Sequence, residues 1–331
     1  MHAQKRSRRR RILLISLACV LALVAAAYVN NSSWLAGDDG RAPLLLAHRG
    51  LAQTFDVGSV DGDTCTAEVI YPPEHPYLEN TIESMRAAFD AGADIVEFDI
   101  QVTQDDRIAV FHDHELGCRT NSTGKVRDHT LADLQKLDIG YHYTADGGAT
   151  FPFRGKGVGK MPAIEDVLTA FPDREFLIDV KSGEPTEGEV LAAYLATVPA
   201  ERLTKISVYG GDEPIAALAA RLPRVRVMSK AIMKDCLLKY IAVGATGYVP
   251  DACAHRQLHI PEAYAPYLWG WPVKFVDRMA AKDTRVVLVA GDGGFSEGFD
   301  SADDWKRLPA GYSGVIWTNR VDRVATLRRA S

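Results

Sequence analysis

From residue 43 to residue 317 the chain alternates short apolar runs with segments of helical periodicity, a rhythm that leaves few folds open to it. Residues 43–47, 94–101, 107–111, 175–180, 204–208, 225–228, 246–249, 285–289 and 314–317 read as strands. Helical patterns lie between most of them, for example at 80–91, 187–197, 214–221 and 235–243. Short apolar strands separated by helices build a parallel α/β sheet. Closed on itself, that sheet is a (β/α)8 barrel. Nine candidate strands then leave one surplus or peripheral, and 246–249 is the shortest. A doubly wound open sheet is the alternative. No G-x-G-x-x-G follows the first strand, and neither a P-loop nor a nucleophile-elbow serine occurs.

The first 42 residues stand apart. Residues 1–11 hold Lys5, Arg6 and Arg8 through Arg11 with no acid, and 12–29 are uncharged and almost wholly apolar. As a helix this run reaches about 27 Å, close to the hydrocarbon thickness of a bilayer. It reads as a single transmembrane anchor, with a cleaved signal peptide ending near Ala25-Ala26-Ala27 as the alternative. Either way the basic end stays inside and the body lies outside the cytoplasm, periplasmic or at the cell surface, or secreted after cleavage. Cys19 lacks a lipobox, because Ser16 stands where Leu is expected. Residues 30–42 read as a polar linker to a body at 43–331. The whole chain carries −5, so the six basic residues of 1–11 leave −11 on the rest. An acidic body argues against nucleic acid as partner, since phosphate backbones are bound by basic surfaces.

Polar residues cluster where the expected strands end: His48-Arg49-Gly50, Glu97-Phe98-Asp99, His112-Asp113 and Asp179-Val180-Lys181. In a parallel barrel the carboxyl ends of strands gather on one face, where sites are built. Glu97 and Asp99 are two apart on a strand and so point the same way, into the mouth. Two adjacent buried carboxylates repel unless a cation lies between them. Asp179 offers a third oxygen, and all-oxygen ligation suits Mg²⁺ or Ca²⁺. Pairing of the acids with Arg or Lys across the barrel is the plainer alternative. His48 and His112 can shuttle protons near neutral pH. Arg49 and Lys181 bring positive charge suited to phosphate. Together these groups describe a site for cleaving a phosphodiester. The H-x-H of His112 and His114 also suggests a metal pair of the amidohydrolase kind, but there the motif belongs to the first strand and further histidines follow.

These motifs resemble the glycerophosphodiester phosphodiesterase family. His48-Arg49-Gly50 matches its H-R-G. Leu78-Glu79-Asn80-Thr81 matches its P-E-N-T with Leu for Pro, and Glu97-Phe98-Asp99 its E-x-D. Thr103-Gln104-Asp105, His112-Asp113, Arg119-Thr120 and the Pro162-to-Asp166 helix start follow in order. Beyond residue 200 only the strand rhythm and a short G-V-I-W-T at 314–318 continue the match. The resemblance implies a TIM barrel. It makes His48 and His112 the general acid and base, Glu97, Asp99 and Asp179 ligands of a divalent metal, and Arg49 and Lys181 the phosphate clamp. Glu79 and Asp113 support the site, Glu79 beside the metal or orienting a catalytic histidine. On strand four the family usually has Glu-x-Lys, where this chain has the shorter Asp179.

The implied reaction is metal-dependent hydrolysis of glycerophosphodiesters, a small-molecule or lipid-derived substrate class. Phospholipase C- or D-like cleavage of intact lipid is a second reading, and a non-catalytic cation-dependent binding protein on the same barrel is a third. Residues 51–78 insert a segment far longer than the family's usual link, expected over the mouth as a lid or substrate-selecting wall. Four cysteines lie in the body, and an oxidising compartment favours two disulfides. Cys65 and Cys118 fall in loops after the first and third strands. Cys236 and Cys253 follow neighbouring strands farther round, on the same face, so position pairs Cys65 with Cys118 and Cys236 with Cys253.

Overall fold

The computed structural model describes residues 2–37, 40–61, 64–294 and 297–328. The parts of the expected linker, insertion and body at 38–39, 62–63, 295–296 and 329–331, and the side chains of Lys5 and Arg6, lie outside the described residues. Among the described residues there are nine strands: β1 (Leu44–Ala47), β2 (Ile95–Val102), β3 (Ile108–Val110), β4 (Glu175–Val180), β5 (Ile206–Gly210), β6 (Arg226–Met228), β7 (Gln257–Pro261), β8 (Arg285–Val289) and β9 (Val315–Thr318). Eight run parallel in the order β6-β5-β4-β2-β1-β9-β8-β7. A parallel bridge from Val227 to Arg256, just before β7, closes the ring. The closed barrel, not the open sheet, is therefore the fold.

Strand alternation explains the closure. On β1, Leu45 and Ala47 pack outward in the main core, whereas Leu46 packs inward with Ile95, Leu177, Val287, Val315 and Trp317. On β2, Val96, Phe98 and Ile100 face the outer core, which sends Glu97 and Asp99 inward. The outer layer is formed chiefly by α2 (Ile82–Ala91), α4 (Ile164–Ala170), α5 (Pro185–Leu195), α7 (Asp212–Arg221), α8 (Lys230–Val243), α9 (Val273–Ala280) and α11 (Val321–Arg328). Short helices α3 (Leu131–Leu134), α6 (Ala200–Leu203) and α10 (Ala302–Lys306) fill the connections. Caps set several boundaries. Thr81 accepts from Ser84 N to start α2, and Ser229 accepts from Ile232 N, starting α8 five residues before the apolar pattern suggests.

Two expected strand assignments change. Residues 246–249 are not a strand: Thr246 ends a 3-10 turn and Gly247 is left-handed (φ +87°). The barrel strand is β7, whose inward Gln257 and His259 hide it among apolar runs. The surplus strand is β3, which folds back antiparallel on β2 with Ile100 opposite Val110. Its loops and residues 65–78 form a second small core around Ile70, Leu116, Leu134, Tyr143, Phe153 and Met161.

Both cysteine pairings hold in the fold. Cys65 and Cys118 join, as do Cys236 and Cys253, with Cα–Cα separations of 5.5 and 4.7 Å. The first pair ties the insertion to the second core. The second does not lie on the mouth face as expected. Cys236 sits in mid-α8 and Cys253 in a turn before β7, so this pair is buried in the barrel's outer wall. At the N-terminus, α1 (His2–Asn31) is the one helix among the described residues long and apolar enough to cross a membrane.

Candidate active site

The H-R-G segment leaves β1 through a tight turn. Arg49 (φ +56°) and Gly50 (φ +79°) are both left-handed. A Cβ on Gly50 would lie 2.6 Å from Ser84 Oγ and 2.9 Å from the Ser84 carbonyl carbon, so only glycine passes α2 this closely. The turn aims Arg49 N at Glu97 Oε2, to which it donates at 2.9 Å, and places His48 Nε2 4.0 Å from the same oxygen. Asn80, also left-handed, clasps Asp99 by two bonds. Its Nδ2 donates to Asp99 Oδ2 (2.8 Å), and Asp99 N donates to its Oδ1 (3.0 Å).

His112 reaches the mouth by a route the sequence did not suggest. It does not end a barrel strand. The β2–β3 hairpin climbs past the rim and returns, and Phe111 N donates to Asp99 O at 3.1 Å, which brings His112 back to the level of the acids. Its Nδ1 lies 2.6 Å from Asp113 Oδ1, and the other Asp113 oxygen is held by Arg119. Arg119 also contacts Glu79 at 3.3 Å, and Glu79 accepts from Arg49 Nη1 at 3.0 Å. Glu79 is thus the bridge between two buried arginines. His114 stands apart, exposed, against Gln101.

Glu97, Asp99 and Asp179 come together with candidate ligand oxygens within 4.8 Å of one another, all buried. Tyr209 on β5 donates to Glu97 Oε1 (2.9 Å). Lys181 lies 3.1 Å from Asp179 and 3.6 Å from Asp99. Asp99 Oδ1 is buried and accepts no hydrogen bond. The linked charged groups are five carboxylates (Glu79, Glu97, Asp99, Asp113, Asp179) against three cations (Arg49, Arg119, Lys181), which leaves two negative charges uncompensated. An orphaned carboxylate oxygen and an excess of two are what a divalent cation on oxygen ligands would answer.

The same imbalance spreads the titrations apart. Burial, then the neighbouring Asp99 and Asp179, push Glu97 far above the carboxylate range. Asp179 rises to about 6, through burial and Asp99 against the pull of Lys181. Burial would raise Asp99 too, but Arg49, His112 and Lys181 outweigh it and hold it ionised. Burial, then Arg49, lower His48 to about 3 and lower His112 as well.

Each imidazole has its tautomer set. Asn319 Nδ2 donates to Asp300 Oδ2 (2.9 Å), so its Oδ1 accepts from His48 Nδ1 (2.7 Å). His48 Nε2 is left with a lone pair. Asp113 holds His112 in the same sense, but with a carboxylate rather than an amide. Tyr209, Arg119, Asn80, Asn319 and Asp300 carry no role in the sequence reading. Arg119 and Asn80 stood in quoted motifs, and Asn319 directly follows the G-V-I-W-T run; Tyr209 and Asp300 left no comparable signal.

Residues 48–209 match the model of the glycerophosphoryl diester phosphodiesterase family. A glycerophosphodiester phosphodiesterase of Bacillus subtilis (strain 168) is 32% identical over 207 residues, covering 57% of this chain and 68% of that protein. One from Caldanaerobacter subterraneus subsp. tengcongensis is 36% identical over 107 residues, 32% of this chain and 40% of that protein. Among solved structures, an Oleispira antarctica phosphodiesterase in complex with sn-glycerol-3-phosphate superposes with a TM-score of 0.55 at 17% identity, over 88% of this chain and 98% of its own. The chain belongs to the glycerophosphoryl diester phosphodiesterase family and is a phosphoric diester hydrolase.

Proposed function

We propose that the protein hydrolyses glycerophosphodiesters to an alcohol and glycerol phosphate, with His48 and His112 as base and acid beside a divalent cation. The observation that carries the reading is the pair of imidazoles bordering the acidic triad, each with Nδ1 engaged and Nε2 left for substrate. The relative of known structure with sn-glycerol-3-phosphate bound supports that product.

Glu97, Asp99 and Asp179 would hold the cation, Ca²⁺ or Mg²⁺. Bound there, it would neutralise charge on the phosphate oxygens. Arg49 and Lys181 hold and orient the phosphate. Glu79 and Asp99 fix the Arg49 guanidinium, so little freedom is lost when substrate arrives. The partners of the two histidines divide their roles. Burial and Arg49 hold His48 neutral, and the Asn319 amide takes its Nδ1–H, so the Nε2 lone pair is free; it takes the proton of the attacking hydroxyl, from water or from a vicinal hydroxyl of the glycerol. His112 rests on the Asp113 carboxylate, which stabilises an imidazolium; it protonates the leaving alkoxide. Tyr209 and Asn80 position the triad through Glu97 and Asp99.

The basic residues 1–11, the span 12–29 and a body at 43–331 support an anchored protein with its barrel outside the cytoplasm, and oxidation of both cysteine pairs accords with that compartment. Turnover of glycerophosphocholine by the full chain, with and without chelator, tests the reading. Full activity with no bound ion would remove the cation from it.

One observation favours a larger substrate. A cavity of about 760 Å³ opens beside His48, Arg49 and Glu79 under the insertion. Ala52, Phe55, Val57, Tyr71, Pro72 and Pro73 give it an apolar wall. A choline-sized alcohol fills little of that volume, so the wall supports phospholipase-like cleavage of a chain-bearing diester. A kcat/KM for lysophosphatidylcholine below that for glycerophosphocholine would count against it.

A further inference from the structure

The end of α1 is not loosely tethered. Lys274 Nζ donates to the carbonyls of Val29 (3.0 Å) and Asn30 (2.9 Å), and Arg278 Nη2 to that of Asn30 (2.9 Å). Arg278 Nη1 donates to Asn31 Oδ1 (2.8 Å), Asn30 and Asn31 both donate to Ala245 O, and Ser33 Oγ donates to Gly270 O (2.8 Å). Two cations thereby cap the last carbonyls of the helix against the barrel wall between α8 and α9. A helix fixed this way carries its neighbours with it: wherever α1 leaves an apolar phase, the surrounding wall meets the boundary.

That wall is unusually apolar. Among the described residues after α1, thirteen large hydrophobic side chains are exposed, and nine of them lie on three segments that meet at this junction. Trp34 (74% exposed) follows Ser33 directly, and Leu238 (68%) and Ile241 share one face of α8. Trp269 donates its Nε1–H to Ile241 O (2.9 Å), and Tyr248 adjoins Gly247, which lies against Asn30. Tyr267 (79%) follows the carboxyl end of β7, so the patch climbs toward the rim of the mouth. Contiguous exposed apolar surface on a soluble domain marks a contact, and Trp and Tyr beside the end of an apolar helix suit the headgroup layer.

We propose that the wall formed by α8 and the 264–271 segment rests in the headgroup region of the lipid bilayer that α1 enters. The proposal rests on reading α1 as a membrane anchor. It lays the barrel on its side, with the β7 rim of the mouth at the lipid surface and the insertion over β1 and β2 across the barrel from it. A lipid-derived diester then reaches the site along the membrane surface.

The test uses the full chain reconstituted in phosphatidylcholine–phosphatidylglycerol vesicles. Carbonate extraction and the reactivity of Cys19, the free cysteine within α1, toward a membrane-impermeant maleimide report the anchor. Quenching of tryptophan fluorescence by lipids spin-labelled near the headgroup reports the wall. We expect a carbonate-resistant protein with Cys19 protected and strong shallow quenching. The W34F/W269F variant should lose at least half of that quenching and keep its turnover of glycerophosphocholine. A nitrobenzoxadiazole label on Leu238→Cys, in a Cys19→Ser background, should shift to the blue on reconstitution. Protected Cys19 without quenching or blue shift overturns the proposal and leaves the anchor. An extractable protein with labelled Cys19 overturns the anchor and the proposal together. Quenching that vanishes as protein is diluted in lipid means a second copy covers the wall, which also overturns it.

Discussion

His112→Ala separates the two histidines by their chemistry. His112 Nδ1 lies 2.6 Å from an Asp113 carboxylate kept ionised by Arg119, a contact that favours the protonated ring against the burial and Arg49 that lower it. Against glycerophosphocholine the variant forces an alkoxide to leave unprotonated. Positioned acid catalysis contributes roughly 10²–10⁴-fold, about 3–5 kcal/mol of barrel-bound transition-state stabilisation, and kcat should fall by that factor. Against a p-nitrophenyl diester of glycerol phosphate the leaving phenolate needs no proton, and the fall should stay below about tenfold if the acid role is the whole contribution. His48→Ala removes the proposed base and should be slow on both substrates. Asp113→Asn keeps an acceptor for Nδ1–H but removes the charge. An imidazolium loses stabilisation without its anion, so its pKa falls and the alkaline limb of kcat moves to lower pH. A move of one unit corresponds to about 1.4 kcal/mol. Steady-state kinetics on the two diesters across pH decides the matter. Equal losses for His112→Ala on both substrates refute the acid role, and a leaving-group-dependent loss in His48→Ala reverses the assignment.

Further expectations concern the cation, the covalent ties and the local turns. Burial, then Asp99 and Asp179, raise Glu97 well above the usual carboxylate range, so removing its charge by Glu97→Gln should cost little without a cation and leave the melting temperature in chelator nearly unchanged. It should abolish the rise that Ca²⁺ or Mg²⁺ gives the parent, about 2.7 kcal/mol at a hundred times Kd; a retained rise would mean that Glu97 is not a ligand. Cys65→Ser/Cys118→Ser opens a loop with a sequence separation of 53 and should lose ~4 kcal/mol at most, read in urea titrations; an unchanged midpoint would show that the tie adds no stability. His114→Ala should turn over at nearly the parental rate, because the ring is exposed and, among the described residues, bonds only Gln101; a hundredfold loss would revive an H-x-H metal pair. Gly50→Ala should destabilise by about 1–3 kcal/mol from backbone strain alone, and a native-like melting temperature would show that the turn tolerates a Cβ.

What was legible in the sequence followed from short-range rules. The two-residue period of a strand put Glu97 and Asp99 on one side, and the H-R-G turn marked where β1 stops. The cysteines paired as their loops suggested, although for Cys236 and Cys253 the stated reason was wrong: they meet in the outer wall, not at the mouth. What was hidden depends on tertiary contact. β7 escaped because Gln257 and His259 face inward, where an apolar run would otherwise announce a barrel strand. The 246–249 run read as a strand, yet its glycine takes a left-handed turn beside Asn30. Asn319 and Asp300 act on His48 from the far end of the chain, across 271 residues in the first case, and no local pattern encodes such a pairing.

The two histidines owe their positions to different parts of the molecule. His48 is fixed by the barrel: β1 pairs with β9, His48 N donates to Thr318 O, and the next residue, Asn319, holds the ring. His112 is fixed by material added to the barrel, the β2–β3 hairpin and the second core behind it. The spacing between His48 and His112 is therefore set by how firmly that core is seated. Arg119 is the rivet. It is buried among Asp113 of the loop after β3, Thr66 of the insertion, Tyr143 of the second core and Glu79 of the segment before α2, and Glu79 in turn holds Arg49. A buried guanidinium gains from such a site only if nearly every donor is used, and losing one partner leaves a charge stranded at a cost of several kcal/mol. That asymmetry makes seating close to all-or-none. The Cys65–Cys118 bond lies beside the rivet and restrains the same two segments. The long insertion thus bears on the placement of His112 as well as on the wall of the cavity: it supplies Thr66 and Cys65, two of the ties to the segment that carries His112 and Arg119.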